Sequence, residues 1–219
     1  MIVDASFAEE LALHLLEINA VILRPDEPFT WSSGWKSPIY CDNRLTLRYP
    51  EIRSNIADHI VSFTSEKFPD VDVITGTATA GIPHAAWVAD RMNKPMAYVR
   101  SKAKAYGMGN QIEGGVEKGE KTVVIEDLIS TGGSVLSVVE ALNFIGADIQ
   151  AIVSIFTYGF DKSMKKFNEA GVNVYTLTDY TTLVDVAIAE GFISEDDLDL
   201  LSEWRAKPET WPAGEGITG

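Results

Sequence analysis

The segment at residues 123–134 constrains the fold of this chain more than any other. A short apolar run, Val123-Val124-Ile125, is followed by two adjacent acids, Glu126 and Asp127. A turn rich in small hydroxyl residues and glycine then opens a helix, whose apolar residues recur at helical spacing between residues 135 and 142. A strand that enters a helix through a short turn is the unit from which parallel α/β sheets are built.

The same turn has the chemistry of a phosphate site. Backbone N–H groups at the start of a helix attract an anion, and the hydroxyls of Ser130, Thr131 and Ser134 add further donors. The two acids would repel a phosphate, so we expect them to accept hydrogen bonds from sugar hydroxyls or to approach a hard cation such as Mg²⁺. The segment therefore predicts a site for a sugar phosphate with a metal ion.

Two common nucleotide-binding motifs are excluded at this turn. No Gly-Lys-Ser/Thr follows the glycines, as a P-loop would require, and Gly132-Gly133-Ser134 lacks the third glycine of a Rossmann fingerprint. Considered alone, the segment could still be a plain turn after a solvated strand end. The rest of the sequence has to decide between these alternatives.

Composition and charge narrow the functional class. The net charge of −14 argues against a general nucleic-acid binder, because such proteins present basic surfaces. Cys41 is the single cysteine, which excludes an intramolecular disulfide and a cysteine-based metal site and is typical of a reducing compartment. No apolar run approaches membrane-spanning length, and residues 1–4 lack the basic start of a signal peptide. We therefore expect a cytoplasmic protein without nucleic-acid or membrane partners.

Strand-like and helix-like segments alternate along the chain, which predicts a mostly parallel sheet flanked by helices. We place one α/β domain at residues 1–206, a length sufficient for a sizeable core. Within it we expect a small N-terminal hood at about 1–45, a core at about 46–180 and C-terminal helices at about 179–206. The tail at 207–219 is expected to be extended.

Helix-end signals and periodicity predict the individual elements. Ser6-Phe7-Ala8-Glu9 has the form of a capping box for a first helix, and Pro50 suits the first turn of a second helix. Residues 100–119 are polar and rich in glycine, so we expect a long loop there. The expected strands cover 71–74, 96–99, 121–125, 149–157 and 172–177, and the helices between them cover 82–92, 134–145 and 163–170.

Ligands in open parallel sheets bind beyond the carboxyl ends of the strands, and three such ends carry unusual loops. The segments are 75–81, 100–119 and 126–134. Backbone N–H groups of the first could meet a diphosphate while those of the third meet a phosphate. The alternative for residues 75–81 is a plain connection between a strand and a helix.

Two further segments carry possible ligand groups. Arg100, Lys102 and Lys104 alternate at the start of the glycine-rich loop, where they could close over a diphosphate leaving group and stabilise its charge. A surface loop held by salt bridges is the alternative. Trp31 and Trp35 flank a Ser-Ser-Gly sequence and could form a wall for a flat heterocycle, or could equally belong to the core of the hood.

Taken together, these strings resemble a known enzyme family. Residues 123–134 resemble the 5-phosphoribosyl-1-diphosphate (PRPP) signature of the type I phosphoribosyltransferases. Residues 29–38 match the motif Phe-Thr-x-x-Ser-Gly-x-x-Ser-Pro of the orotate phosphoribosyltransferase branch, and residues 109–114 match Gly-Asn-Gln-Ile-Glu-Gly of one bacterial subgroup. Residues 100–107 match the loop motif Arg-x-x-x-Lys-x-His-Gly except at Tyr106. The resemblance covers about residues 5–180.

This resemblance implies a fold, a reaction and an assembly. The fold would be the α/β type I phosphoribosyltransferase fold, a mostly parallel sheet flanked by helices under a small N-terminal hood. The reaction would move the phosphoribosyl group of PRPP to N1 of orotate, with Mg²⁺ as cofactor, in the biosynthesis of pyrimidine nucleotides. The protein would be a homodimer whose mobile loop enters the partner's active site.

The resemblance also implies the roles of individual residues. Glu126 and Asp127 would hold the ribose hydroxyls and act in catalysis together with Lys104. Mg²⁺ would be held mainly by the substrate, with Asp127 as the candidate protein contact. Orotate would meet Ser130, Lys36 and Tyr40. The full set that would bind PRPP is Arg100, Lys104, Tyr106, Glu126, Asp127, Leu128, Ile129, Ser130, Thr131, Gly132, Gly133 and Ser134.

Several positions depart from the family's pattern. Ala80 and Ser32 stand where some members carry lysines, and Tyr158 lies near where some place an orotate-binding arginine. Fewer cations would therefore surround the site, and the basic loop would have to supply more of the charge. No general base is evident, because the histidines, His14, His59 and His84, suit helix surfaces or the core. A purine phosphoribosyltransferase and a PRPP-sensing regulator are the rival functions; the two branch motifs oppose the first, and the lack of a basic domain opposes the second.

Overall fold

The computed structural model describes residues 1–31, 33–100 and 111–211. The chain begins with helix α1 (Ala5–Glu17), followed by two short antiparallel strand pairs. The first pair joins β1 (Val21–Leu23) to β4 (Ile39–Cys41), and the second pair, β2 (Phe29–Thr30) with β3 (Lys36–Ser37), lies between them in sequence. A 3₁₀ helix at Asn43–Arg48 then leads into the main sheet.

A six-stranded sheet forms the centre of the protein. Its strands are β5 (Val73–Thr77), β6 (Met96–Val99), β7 (Ile112–Glu113), β8 (Lys121–Ile129), β9 (Asp148–Thr157) and β10 (Val174–Asp179). They lie in the order β10-β9-β8-β5-β6-β7, and all pairings are parallel except that of β7 with β6. The predicted α/β fold with a mostly parallel sheet is confirmed.

Helices cover both faces of this sheet. They are α2 (Pro50–Lys67), α3 (Gly81–Met92), α4 (Gly133–Ile145), α5 (Asp161–Glu169), α6 (Tyr180–Ala189) and α7 (Leu198–Ala206). Successive β8 residues serve opposite faces, as the pleat of a strand requires: Val123 and Ile125 join the core under α1, α2 and α3, whereas Val124 joins the core under α4 and α5. Among the helices of the described ranges, none is long and apolar enough to span a bilayer.

Three local predictions were wrong. The capping residue of α1 is Asp4, whose carboxylate accepts from the Phe7 N–H at 3.0 Å, so Ser6 lies inside the helix. Strand β8 continues past the acids to Ile129, because its parallel pairing with β9 is maintained there. The expected loop at 100–119 contains β7, while residues 101–110 lie outside the described part of the chain.

Residues near both ends of the described chain contact the sheet or the core. Ile2 forms an isolated parallel bridge with Thr176 of β10. Trp211 is buried against the main core, and residues 212–219 lie outside the described ranges. The division of the chain into hood, core and tail stays a prediction.

Candidate active site

Two adjoining cavities open where the carboxyl ends of β5, β8 and β9 meet the hood. The acid cavity has a volume of about 370 Å³ and is lined by Cys41, Asp42, Arg44, Thr77, Ala78, Thr79, Ala80, Glu126, Asp127, Leu128 and Ser134. The aromatic cavity has a volume of about 560 Å³ and is lined by Thr30, Trp31, Ser33, Trp35, Tyr40, Cys41, Leu128, Ser130, Thr131 and Tyr158. Cys41 and Leu128 belong to both linings, so the two cavities are neighbours.

The loop after β5 forms one wall of the acid cavity and leads directly into α3. Gly81, the first residue of that helix, lies so close to β8 that a Cβ atom there would be 2.5 Å from the carbonyl oxygen of Ile125. Only glycine allows this approach, which brings the amino end of α3 beside the acids of β8. The peptide bond between Ala78 and Thr79 in this loop is cis. The amino end of α3 thus opens at the acid cavity, and a helix start favours an anion; that residues 75–81 bind one stays a prediction.

The turn between β8 and α4 lies between the two cavities. Gly132 caps α4 with φ of +77°, and a Cβ at this position would approach the ring of Phe167 to 2.8 Å. Because glycine has no side chain that could cap the helix, the first amide groups of α4 are open to an external anion. Ser130 and Thr131 face the aromatic cavity, and Ser134 faces the acid cavity. The turn can thus contact a ligand that extends across both.

Ile129 stands apart from its neighbours in this turn. Its side chain is buried in the core between the sheet and α4, and its carbonyl oxygen accepts from the Tyr158 N–H at 3.0 Å. Any contact of Ile129 with a ligand therefore has to use its backbone.

The two acids of β8 occupy different environments. Glu126 is only 4% exposed, and its Oε1 accepts from the N–H of Asp127 at 3.0 Å. Burial, and then the neighbouring Asp127 carboxylate, raise the pKa of Glu126 well above its ordinary value. Asp127 is less buried and lines the same cavity. Ionisation of both acids would place two like charges side by side in the acid cavity, and hydroxyl donors or a cation would stabilise that state.

The segment after β4 holds Asp127 in place, a role that the sequence did not indicate. Asn43 is fully buried and donates through Nδ2 to the carbonyl oxygen of Asp127 at 2.6 Å. Its Oδ1 accepts from the thiol of Cys41 at 3.3 Å. Asn43 therefore fixes the backbone of an acid more than 80 residues away, a contact that no local pattern could reveal.

Arg44 brings a cation to the acid cavity. Its guanidinium donates to both carboxylate oxygens of Asp42, from Nε at 2.6 Å and from Nη2 at 2.8 Å. This fork lowers the pKa of Asp42 and keeps the pair ionised at neutral pH. Among the described residues of this lining, Arg44 is the one basic side chain. Sequence reasoning missed it, since the cations expected to contact the diphosphate all lay in the 100–104 segment.

Aromatic rings dominate the second cavity. The ring centroid of Trp31 lies 6.3 Å from that of Trp35 and 5.3 Å from that of Tyr158. The indole N–H of Trp31 donates to the Ile39 carbonyl at 3.1 Å, which fixes this ring in the hood. Trp31 and Trp35 both line this cavity, and Trp31 also packs against the main core. Their contact with a flat heterocycle stays a prediction.

The expected contacts of the base lie at or near this cavity. Tyr40 and Ser130 line it, and Tyr40 is 42% exposed. Lys36 is adjacent, with its ammonium donating to the hydroxyl of Thr30 at 2.7 Å. Tyr158 is only 2% exposed and forms part of the wall of this cavity.

The remaining expected site residues lie farther from the cavities or outside the described ranges. Arg100 follows β6 and forms an ion pair with Glu113 of β7 at 3.3 Å. Lys102, Lys104 and Tyr106 fall in residues 101–110, outside the part that the structure describes. Their roles stay predictions, as do the ligand contacts assigned to the other site residues.

The histidines provide no general base for either cavity. His84 is buried in α3 beside Trp87, and burial lowers its pKa to about 4. His59 stacks on Phe7 with ring centroids 3.4 Å apart, and His14 lies near Glu10 and Glu17 on the surface of α1. A reaction in these cavities has to proceed without a histidine among the described lining residues.

Comparison with known proteins identifies the family. The profile of the phosphoribosyl transferase domain matches residues 49–181. The orotate phosphoribosyltransferase of Bacillus cytotoxicus is 58% identical over 205 residues, which cover 93% of this chain and 98% of that protein. The crystal structure of orotate phosphoribosyltransferase from Aeropyrum pernix is 28% identical with a TM-score of 0.72, over 84% of this chain and 99% of that one.

A larger protein has the same fold in part of its chain. The structure of Leishmania donovani UMP synthase is 30% identical with a TM-score of 0.74, and the match covers 90% of this chain but 42% of that protein. The full-length match to the Bacillus enzyme, together with the fold and the paired cavities, therefore assigns this chain to the orotate phosphoribosyltransferases, a branch of the phosphoribosyltransferase family.

Proposed function

We propose that the chain transfers the 5-phosphoribosyl group of PRPP to N1 of orotate at the boundary of the two cavities. The observation that carries this proposal is the shared lining at Cys41 and Leu128. A sugar phosphate in the acid cavity and a flat base in the aromatic cavity would meet there. Their reacting atoms, C1 of the ribose and N1 of the base, would then be held in contact.

PRPP is proposed to extend across the acid cavity between two helix starts. Its 5-phosphate would bind the amides and hydroxyls of residues 130–134, and its diphosphate would lie at the amino end of α3, beside Arg44. The ribose hydroxyls between them would donate to Glu126 and Asp127. The positions of Gly81 and Asn43 support this assignment, because they fix the α3 end and the Asp127 backbone in one cavity.

Orotate is proposed to lie against the rings of the aromatic cavity. Its carboxylate would pair with the ammonium of Lys36, while Ser130 and Tyr40 contact the ring. Lys36 is exposed and bonded to Thr30, so its side chain can reorient toward a ligand at modest energetic cost. A tyrosine at position 158 leaves Lys36 as the nearest proposed cation for the carboxylate.

Catalysis would rest on positioning and electrostatics. The bond from ribose C1 to the diphosphate oxygen breaks, its electrons leave with diphosphate, and the N1 lone pair of orotate forms the new bond. Orotate can arrive ionised at N1, so no proton has to be removed by the protein. Positive charge that develops on the ribose is stabilised by the carboxylates of Glu126 and Asp127. Lys104, with Arg100 and Tyr106, would stabilise the departing diphosphate.

Mg²⁺ is the proposed cofactor. The described residues contain no group of three or more histidine, cysteine or acidic side chains that could hold a metal. Mg²⁺ commonly binds one or two carboxylates together with substrate phosphates, so Asp127 with the PRPP oxygens is a suitable donor set. When bound, Mg²⁺ would neutralise charge on the leaving diphosphate.

The proposed working form is a cytoplasmic homodimer in which the 100–107 segment completes the partner's site. The match of this segment to the family's loop motif supports the shared site. The single cysteine of the chain is consistent with a reducing compartment.

An assay of substrate choice tests the function. Purified protein with PRPP and Mg²⁺ should consume orotate and form orotidine 5-phosphate, whereas adenine, hypoxanthine and uracil should remain unused. Asp127→Asn should lower turnover by about 10²-fold or more, the scale of one lost electrostatic contact to the transition state. Asp70→Asn, a surface acid near Lys121, is the matched control and should behave as the wild type. Comparable use of a purine, or a normal rate in folded Asp127→Asn, would contradict the proposal.

A further inference from the structure

The C-terminal helix α7 places a tryptophan, Trp204, behind the aromatic cavity. Trp204 is fully buried, and its indole N–H donates to the carbonyl oxygen of Lys36 at 3.1 Å. This bond joins α7 to strand β3 of the hood, 168 residues earlier in the chain. Lys36 is also the residue whose ammonium is proposed to meet the carboxylate of orotate. Trp204 thus holds the backbone from which that ammonium extends.

The ring of Trp204 also supports two walls of the cavity. Its centroid lies 5.7 Å from that of Trp31, edge to face, and 5.7 Å from that of Tyr158. Both of these rings line the aromatic cavity, whereas Trp204 itself is behind them. Edge-to-face packing of this kind fixes ring orientation in addition to burying area. A second α7 residue, Arg205, donates from Nε to the Tyr158 carbonyl at 3.2 Å.

Helix α7 is itself attached to the rigid part of the fold. The hydroxyl of Tyr180 in α6 donates to the Leu201 carbonyl at 3.1 Å, and Arg205 donates to the hydroxyl of Thr181 at 2.7 Å. Trp204 therefore connects a helix anchored on the core to the strand pairs of the hood, whose strands have only two or three residues each. Short strand pairs of this kind are marginally stable by themselves and require packing from other elements.

We propose that Trp204 is a positioning residue for the base: it sets the orientation of Trp31 and the position of Lys36, and thereby the affinity for orotate. This inference rests on the proposed function. It assigns to the C-terminal helix a role in binding one substrate and not the other. The acid cavity is lined by the β5–α3 loop, the end of β8, Ser134 and three residues of the 41–44 segment, and Trp204 is not among its lining residues, so PRPP should be little affected.

Trp204→Phe tests the proposal because it keeps an aromatic ring but removes the donor to Lys36. The KM for orotate should rise by about threefold to tenfold, as expected for one lost hydrogen bond, with the KM for PRPP unchanged and kcat at saturation nearly so. Tyr180→Phe is the matched control. It also removes one hydrogen bond to α7 and keeps its ring, but its partner is Leu201 and not the hood, so the orotate KM should stay at the wild-type value.

A double variant tests the route of the effect. If Trp204 acts through the position of Lys36, Trp204→Phe should change the orotate KM much less in a Lys36→Met background than in the wild type; an equal change in both backgrounds would overturn the inference. Should Trp204→Phe fail to fold, 3-benzothienylalanine at position 204 replaces the N–H by sulfur in the same ring shape and should give the same rise. Equal changes in both substrates, or the same orotate KM in Trp204→Phe and Tyr180→Phe, would overturn the inference. Wild-type protein inactive with orotate would instead refute the proposed function.

Discussion

Gly81→Ala tests how closely the start of α3 must approach β8. A Cβ at this position would lie 2.5 Å from the Ile125 carbonyl oxygen, and ordinary contact begins near 3.4 Å, so helix and strand have to separate by about 0.9 Å. A displacement near 1 Å in a site that works by positioning can lower the rate by about 10²-fold. We expect kcat/KM for PRPP to fall by that factor, with a loss of about 1–3 kcal/mol in unfolding free energy from overpacking.

The assay is steady-state kinetics with PRPP as the varied substrate, combined with thermal unfolding. Ile60→Ala is the control for stability, because Ile60 is fully buried in α2, away from both cavity linings. It should lower the melting temperature by at least as much as Gly81→Ala while leaving kcat/KM near the wild-type value at a temperature where both are folded. A folded Gly81→Ala enzyme with wild-type kinetics would refute the reasoning, because the close approach would then have no bearing on the diphosphate position.

Three further predictions concern charges around the acid cavity. Lys104→Ala and Asp127→Asn proteins, each defective alone, should regain activity when their subunits exchange. In the mixed dimer, one active site combines Asp127 of the first protein with Lys104 of the second. Subunit exchange without recovered activity would contradict a shared site. Arg44→Gln should raise the KM for PRPP by about tenfold with the orotate KM unchanged, on the scale of a charge-assisted hydrogen bond; Arg91→Gln, which breaks an ion pair to Asp58 elsewhere, should not. Glu126→Gln should be more stable than the wild type at alkaline pH, and this advantage should vanish as pH falls. Because the pKa of Glu126 is raised, the fold favours its protonated carboxyl and disfavours its ionised form. The wild type therefore loses stability as the pH rises from the ordinary carboxyl range through the raised pKa. A difference in melting temperature that does not change with pH would disprove this.

The sequence predicted the sheet and its flanking helices because strands and helices each have a characteristic spacing of apolar residues. Alternating strands and helices gave the parallel sheet, and Gly146 ends α4 as the periodicity required. The length of strand β8 was underestimated, because the acids near its end interrupt the apolar run that marks a buried strand. Its length is set by pairing with β9, and such pairing between distant segments is invisible in a local pattern.

For the site, sequence motifs located the loops but not the residues that hold them together. The β5–α3 loop and the 126–134 segment do line one cavity, as expected from strands that end at the same edge. Asn43 was missed, because its partner depends on how residues 41–44 fold back onto β8. Arg44 was missed because only its pairing with Asp42 is local, whereas its place beside the acids of β8 depends on that same fold. Trp204 was missed for the same reason, as its partner Lys36 is near the other end of the chain.

The shared boundary of the two cavities separates the tasks of the protein along its sequence. Most lining residues of the aromatic cavity come from residues 30–41, whereas the acid cavity is built mainly by the ends of β5 and β8. Substitutions in β2 or β3 can therefore change which ring is accepted without moving the groups that hold the sugar phosphate. A new specificity for the base therefore requires changes in one short segment and in the residues that pack behind it. The residues that transfer the phosphoribosyl group stay the same.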